Sequence, residues 1–310
     1  MAGDIDMTTN LAGLTLRNPI IAAAGTAGYI DELPDVLDPA FLGAITTKSI
    51  TVAPREGHPP WRLVETPHGM LNAIGLANVG LEAFLREKLP AAERVNTTII
   101  ASIAANSVDD YVKIAEAFDR AEHLPAVELN VSCPNTAEGL QFGESRESLR
   151  ALINAVRPVL SNTKLIVKLS PNVGDIVEMA EAAIDAGADA LTLINTVQAM
   201  AIDVETRRPR LSNTTGGLSG PAIHPIAVRM VHAVYRNVAR EAKVPIIGLG
   251  GVLSWRDAAE LILAGATAVG VGTALFVDPR QPKRIIKGLQ RWSRRQGCQS
   301  ITELTGNVNT

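Results

Sequence analysis

Cysteine is nearly absent: Cys133 and Cys298 are the two in 310 residues. Two thiols cannot build a disulfide framework, and they suit a reducing compartment. They also fall short of the four thiolates that hold an iron–sulfur cluster. Histidine is scarce too, at five residues, and no CxxC, HExxH or HxH spacing occurs, which argues against a zinc site. A charge excess is missing as well. The net charge of −3 offers none of the basic surplus expected of a nucleic-acid binder. No apolar run is long enough to span a membrane. The opening "MAGDIDMTTN" lacks the basic-then-apolar pattern of a secretory leader. These absences lead us to expect a cytoplasmic protein that engages neither nucleic acid nor membrane. The GxGxxG spacing is also lacking, so a dinucleotide-binding fold is not supported.

Present instead are eight short apolar runs, at 19–25, 43–49, 97–103, 126–134, 165–170, 190–196, 244–251 and 268–274. They lack polar alternation, as strands of a parallel sheet buried on both faces do. Most are separated by segments with helical spacing. In 107–122, Tyr111, Ile114, Ala115 and Phe118 fall on one stripe. The segments 148–160 and 175–186 repeat the pattern, the latter ending on a glycine stop, and Ser254 with Asp257 reads as a helix N-cap. Length alone would suggest about two domains, but barrels of this size fold as one. Eight strands alternating with helices predict an α/β fold, a single (β/α)8 TIM barrel spanning 1–310. "MTTNLAGLTLRNP" predicts a hairpin about Ala12-Gly13 that closes the barrel bottom. Two connections, 50–96 and 197–243, are too long for plain crossovers and open on irregular Gly/Pro-rich stretches. Both follow strand C-terminal ends, where barrel active sites are built, so functional loops are expected there.

Several strand ends carry chemistry. Gly250-Gly251 closes the seventh run and Gly272-Thr273 the eighth, where many barrels hold phosphate. Glycines also serve tight turns, so this feature alone leaves both readings open. In "LIVKLS", Lys168 shares a strand face with Ile166 and Ser170. Pointing inward, it needs an anionic partner, either a carboxylate or a phosphate-bearing cofactor. Lys48 ends the second run and poses the same choice. Asn72, Asn130 and Asn195 each follow or end an apolar run. One such Asn is usually a turn former, but three converging on one cavity suit a ring of alternating carbonyls and N–H groups. Cys133 has no flanking histidine to activate it as a protease nucleophile, yet a thiol can move a proton. Free cysteine is equally at home as a small buried hydrophobe. Gly139 and Gly143 could hinge the loop that follows as a lid.

"NVSCPN", "TTKS", "MLNAIGLANVG", "IVKLSPN", "INT", "GGLSGPA" and "IIGLGG" occur in this order, and together they resemble the class 1 dihydroorotate dehydrogenases over about residues 8–290. The resemblance implies an FMN enzyme of pyrimidine synthesis that oxidises dihydroorotate to orotate. The segment "PREGHPPWRLVETPHGMLNAIGLANVG" is similar to subtype 1B. That subtype pairs a homodimeric core with two subunits carrying FAD and a 2Fe–2S cluster, a heterotetramer that passes electrons to NAD⁺. The resemblance implies Cys133 as the base at C5 of dihydroorotate, and Lys48 and Asn130 in contact with substrate and flavin. It implies Asn72, Ala73, Ile74, Gly75 and Leu76, with Asn195 and Thr196, around the pyrimidine ring and its carboxylate. Ala24, Ser49, Ser102, Ile194 and Gly220 are implied FMN contacts, Lys168 lies at the flavin N1–O2 edge, and Gly250, Gly251, Gly272 and Thr273 surround the phosphate. Ala24 stands where serine is frequent and Ser102 where asparagine is frequent. Backbone donation survives at Ala24, but Ser102 has less reach than an amide. Rival readings are a fumarate-using subtype 1A homodimer, a Schiff-base lyase with Lys168 as nucleophile, and a non-catalytic flavoprotein scaffold.

Overall fold

The computed structural model describes residues 5–30, 32, 37–132 and 142–309. Its centre is a closed barrel of eight parallel strands: Ile20–Ala22, Ala44–Thr46, Thr98–Ile103, Ala126–Asn130, Lys164–Lys168, Ala190–Leu193, Ile246–Leu249 and Ala268–Val271. We number these one to eight. Each pairs with the next in sequence, and strand eight closes on strand one through Val269–Ile20 and its neighbours. Every one of the eight apolar runs supplies one strand. Their residues are almost all buried, because the interior and the helical shell each cover one face.

The hairpin forms as expected. Thr9–Leu11 pairs with Leu14–Leu16 across Ala12 and Gly13, both at positive φ. Two successive positive φ values fit the tight hairpin turn whose twist matches that of the strands. Leu11 and Leu16 then plug the barrel. They pack with an inward residue from each of the eight strands, among them Ile21, Ile100, Ile166 and Ile247, in a separate fully apolar cluster. This floor leaves the opposite end of the barrel for a ligand.

The shell helices begin where the sequence supplies caps. Val108–Asp119 starts at Ser107, whose side chain accepts from Asp110 N–H. Its stripe of Tyr111, Ile114, Ala115 and Phe118 is buried. Ile176–Asp185 starts at Asp175, and Trp255–Ala264 carries the full capping box of Ser254 and Asp257. The helix expected over 148–160 instead spans Arg146–Val156, because Ser145 caps it and Ser148 lies inside the first turn. The connection after strand one has only a short 3-10 turn, Pro39–Phe41, among the described residues. No helix among the described residues is long and apolar enough to cross a membrane.

Candidate active site

The two long connections, expected to be irregular, contain strands that find each other. Leu63–Thr66 and Gly69–Asn72 come from the first, Val197–Ala199 and Gly216–Ser219 from the second. Together they form one four-stranded antiparallel sheet, joined where Gly217 pairs with Asn72. This sheet roofs the C-terminal mouth of the barrel. Beneath it lies a cavity of about 290 Å³.

The cavity gathers most of the residues singled out in the sequence. Lys48, Ser49, Asn130, Lys168, Ile194, Asn195 and Thr196 line it from the barrel. Asn72, Ile74, Leu76 and Gly220 line it from the roof and its flanks. Ala24, Gly250, Gly251, Gly272 and Thr273 line it at the ends of strands one, seven and eight. Three expected residues do not line it. Ser102 is fully buried beneath Ser49, and the two hydroxyl oxygens lie 2.8 Å apart. Ala73 N–H already donates to the Arg62 carbonyl at 2.9 Å, so the loop presents Asn72, Ile74 and Leu76 instead of Ala73 and Gly75. Cys133 and Gly139 lie outside the described residues.

The amides form a connected set. Asn195 Nδ2 donates to Asn130 Oδ1 at 3.1 Å, and Asn130 Nδ2 donates to Ser49 Oγ at 3.4 Å. Asn195 Oδ1 accepts from the N–H of Thr196 at 2.8 Å. Tyr111 Oη donates to the Asn130 carbonyl at 2.7 Å, tying the mouth to a shell helix. Ser102 thus supports Ser49 from below, and the network fixes side chains from several strands before a ligand arrives.

The cations have no partner among the described residues. Lys168 is 6% exposed, yet neither its ammonium nor that of Lys48 has a hydrogen bond or ion pair among the described residues. Burial first, then the nearby Arg62 guanidinium, holds the Lys48 pKa below the ordinary lysine value, against a smaller opposing pull from Glu32. One lysine that is buried and one that is half-buried, facing one cavity, call for an anionic occupant.

At the far end Gly251 has φ +66, and a Cβ there would lie 2.8 Å from the Gly220 carbonyl oxygen and 2.7 Å from His224 Cβ. A Cβ on Gly250 would lie 2.7 Å from Ala227 Cβ. His224 Nδ1 donates to the Gly250 carbonyl at 2.8 Å and pins the turn. This is a cradle only glycine can form, with backbone N–H groups free to approach an anion. The two lysines and the cradle fit a phosphate-bearing cofactor. No group of three His, Cys, Asp or Glu among the described residues could hold a metal.

Sequence reasoning missed other parts of the site. Ala23, Gly25 and Thr26 also line the cavity, and their place after strand one could have flagged them. Leu63 and Met70 face it from the roof, which only long-range pairing creates. Asn78 is buried and knots the loop: its amide nitrogen donates to Thr51 Oγ1 and the Leu76 carbonyl, and its oxygen accepts from Thr51 and Gly80 N–H. It thereby holds Leu76 at a positive φ of 58, a strained conformation at the cavity wall. No local signal separates such an Asn from a turn former.

The sequence model of the family described as dihydroorotate dehydrogenase matches residues 6–292. The chain is 48% identical to the protein of Geotalea uraniireducens (strain Rf4) named "Dihydroorotate dehydrogenase B (NAD(+)), catalytic subunit", over 99% of this chain and 100% of that one. Proteins of the same name from Pelobacter propionicus and Bacteroides thetaiotaomicron are 49% and 45% identical, each over 97% of this chain and 98% of its own length.

Proposed function

Because the chain belongs to the dihydroorotate dehydrogenase family, we propose that it oxidises (S)-dihydroorotate to orotate on a bound FMN, as the catalytic subunit of an NAD⁺-linked enzyme. The observation that carries this reading is the cavity itself. It is lined by two lysines that have no partner among the described residues, by an amide network and by a glycine cradle.

Position in the cavity supports the following roles. Gly250, Gly251, Gly272 and Thr273 take the FMN phosphate, where N–H groups and the absence of Cβ atoms allow close approach. Ala24, Ser49, Ile194 and Gly220 border the cofactor, and Ser102 acts on it through Ser49. Lys168 supplies fixed positive charge at the flavin N1–O2 edge. Bound FMN supplies the acceptor for the hydride that leaves C6 of the substrate. Lys48 and Asn130 contact both cofactor and substrate. Asn72, Ile74, Leu76, Asn195 and Thr196 hold the pyrimidine and its carboxylate, with Ala73 and Gly75 shaping the loop. Cys133, three residues after Asn130, takes the C5 proton.

The whole chain, 1–310, acts as one FMN-binding unit. With only two cysteines it cannot itself hold the 2Fe–2S cluster, so FAD and the cluster reside on a partner. We assign it a homodimeric core flanked by two such electron-transfer subunits, in the cytoplasm. The test is reconstitution. Co-expressed with a subunit of that type, the chain should co-purify with it and reduce NAD⁺ in the presence of dihydroorotate. Fumarate-dependent turnover by the chain alone, with no NAD⁺ reduction in the complex, would overturn the assignment of acceptor.

A further inference from the structure

Strand four carries a carboxyl group that none of these roles uses. Glu128 alternates with Ala126 and Asn130, so its side chain enters the barrel between the apolar floor and the cavity. It is 2% exposed. Its Oε2 accepts a hydrogen bond from Thr192 Oγ1 at 2.7 Å, whereas its Oε1 has no partner among the described residues. The register pairs Lys168 of strand five with Asn130 on one side and Thr192 on the other. The Glu128–Thr192 bond therefore links the two strands that flank Lys168. Lys168, Glu128 and Thr192 all point inward, since Ile166, Ala126 and Ala190, two residues before each, belong to the floor. A buried carboxyl oxygen and an ammonium that lines the cavity above it, each without a hydrogen-bond or ion-pair partner among the described residues, thus share one barrel interior. Either group alone would be costly to keep there.

We propose that Glu128, tethered by Thr192, is a positioning residue for Lys168. It draws on the ammonium from below and limits how much of its positive charge reaches the cavity. This rests on the FMN reading above and deepens it. Fixed positive charge at the N1–O2 edge favours reduced flavin. A carboxylate beneath that charge moderates the preference, which suits a subunit that must pass its electrons on. A purely structural duty would be met equally by glutamine, whose amide oxygen also accepts from a threonine hydroxyl.

The test measures the midpoint potential of bound FMN by anaerobic titration, which a packing role would not move. Glu128→Gln should raise the ratio of reduced to oxidised flavin at least tenfold at a given potential, a shift of about 30 mV for a two-electron couple. Thr192→Val frees the second carboxylate oxygen toward Lys168 and should shift the potential the opposite way. That variant also carries the test alone if Glu128→Gln fails to fold. In a Lys168→Met background, Glu128→Gln should have no effect. A wild-type potential in both single variants, or an equal shift without Lys168, overturns the proposal. A wild-type chain that takes up no FMN would sink the cofactor reading itself, and this proposal with it.

Discussion

Replacing Gly251 with alanine should both destabilise the fold and empty the cradle, and the size of each effect can be worked from three glycines. Gly174 has no positive φ, and a Cβ there meets nothing within 4 Å, so Gly174→Ala should match or slightly exceed the wild-type melting temperature. Gly25 has φ +81 but open space, which isolates the backbone cost, about 1–2 kcal/mol. Gly251 has φ +66 and overlaps besides with the Gly220 carbonyl oxygen and with His224 Cβ and N. Backbone atoms cannot yield cheaply, so overpacking adds about 1–3 kcal/mol, for a total of roughly 2–5 kcal/mol. At roughly 2 °C per kcal/mol for a large domain, Gly25→Ala should lower the melting temperature by about 2–4 °C and Gly251→Ala by about 4–10 °C. Gly272→Ala separates binding from stability. Its Cβ would be 3.9 Å from Thr26 Cγ2, ordinary contact, but the residue lines the cavity. That variant should melt normally yet bind FMN at least tenfold more weakly, about 1.4 kcal/mol. Scanning fluorimetry of the ligand-free variants and calorimetric FMN titration read the two effects. Wild-type melting and wild-type FMN affinity in Gly251→Ala would refute the cradle geometry.

Four further outcomes follow from other parts of the molecule. Cys133→Ala should keep FMN and orotate binding while turnover falls by about 10²–10⁴, and Cys133→Ser should recover a little activity at high pH; unchanged steady-state kinetics would remove the base. In the proposed role, Lys48 would hold an anionic substrate only while protonated, and its pKa is lowered from 10.5 by burial and Arg62. Orotate affinity should therefore fall with rising pH before the ordinary lysine range is reached, and Lys48→Arg should erase that limb; a flat profile in the wild type counts against the assignment. The same shift has a stability consequence. Between the lowered and the ordinary pKa the unfolded chain binds the extra proton, so the ligand-free protein should gain stability as pH rises through that window, measured by denaturant midpoints. Leu11→Ala, which hollows the barrel floor far from the cavity, should cost about 2–5 kcal/mol of stability and leave FMN affinity intact.

The barrel was legible because its signals are local. Eight two-sided apolar runs, the Ala12-Gly13 turn, the helical stripe of 107–122 and the Ser254 cap each declare themselves within a few residues. The roof was not, since Asn72 and Gly217 pair across 145 positions and neither segment alternates cleanly. Cavity-lining residues on strand ends were legible for the same reason as the strands. Lys168, Asn130, Asn195 and the glycine pairs meet because the barrel brings every C-terminal end to one mouth. Ser102 was placed in contact with the ligand, yet it stands one layer down, because strand three buries it beneath Ser49. Asn78 and Glu128 escaped notice since their partners, Thr51 and Thr192, are fixed only by the tertiary fold.

The most direct measurement is the absorption spectrum of the purified chain alone, recorded anaerobically before and after adding dihydroorotate. A bound flavin poised over the substrate predicts a yellow protein whose oxidised-flavin bands bleach in proportion to the dihydroorotate added. A colourless chain, or a flavin spectrum that dihydroorotate leaves unaltered, would contradict it.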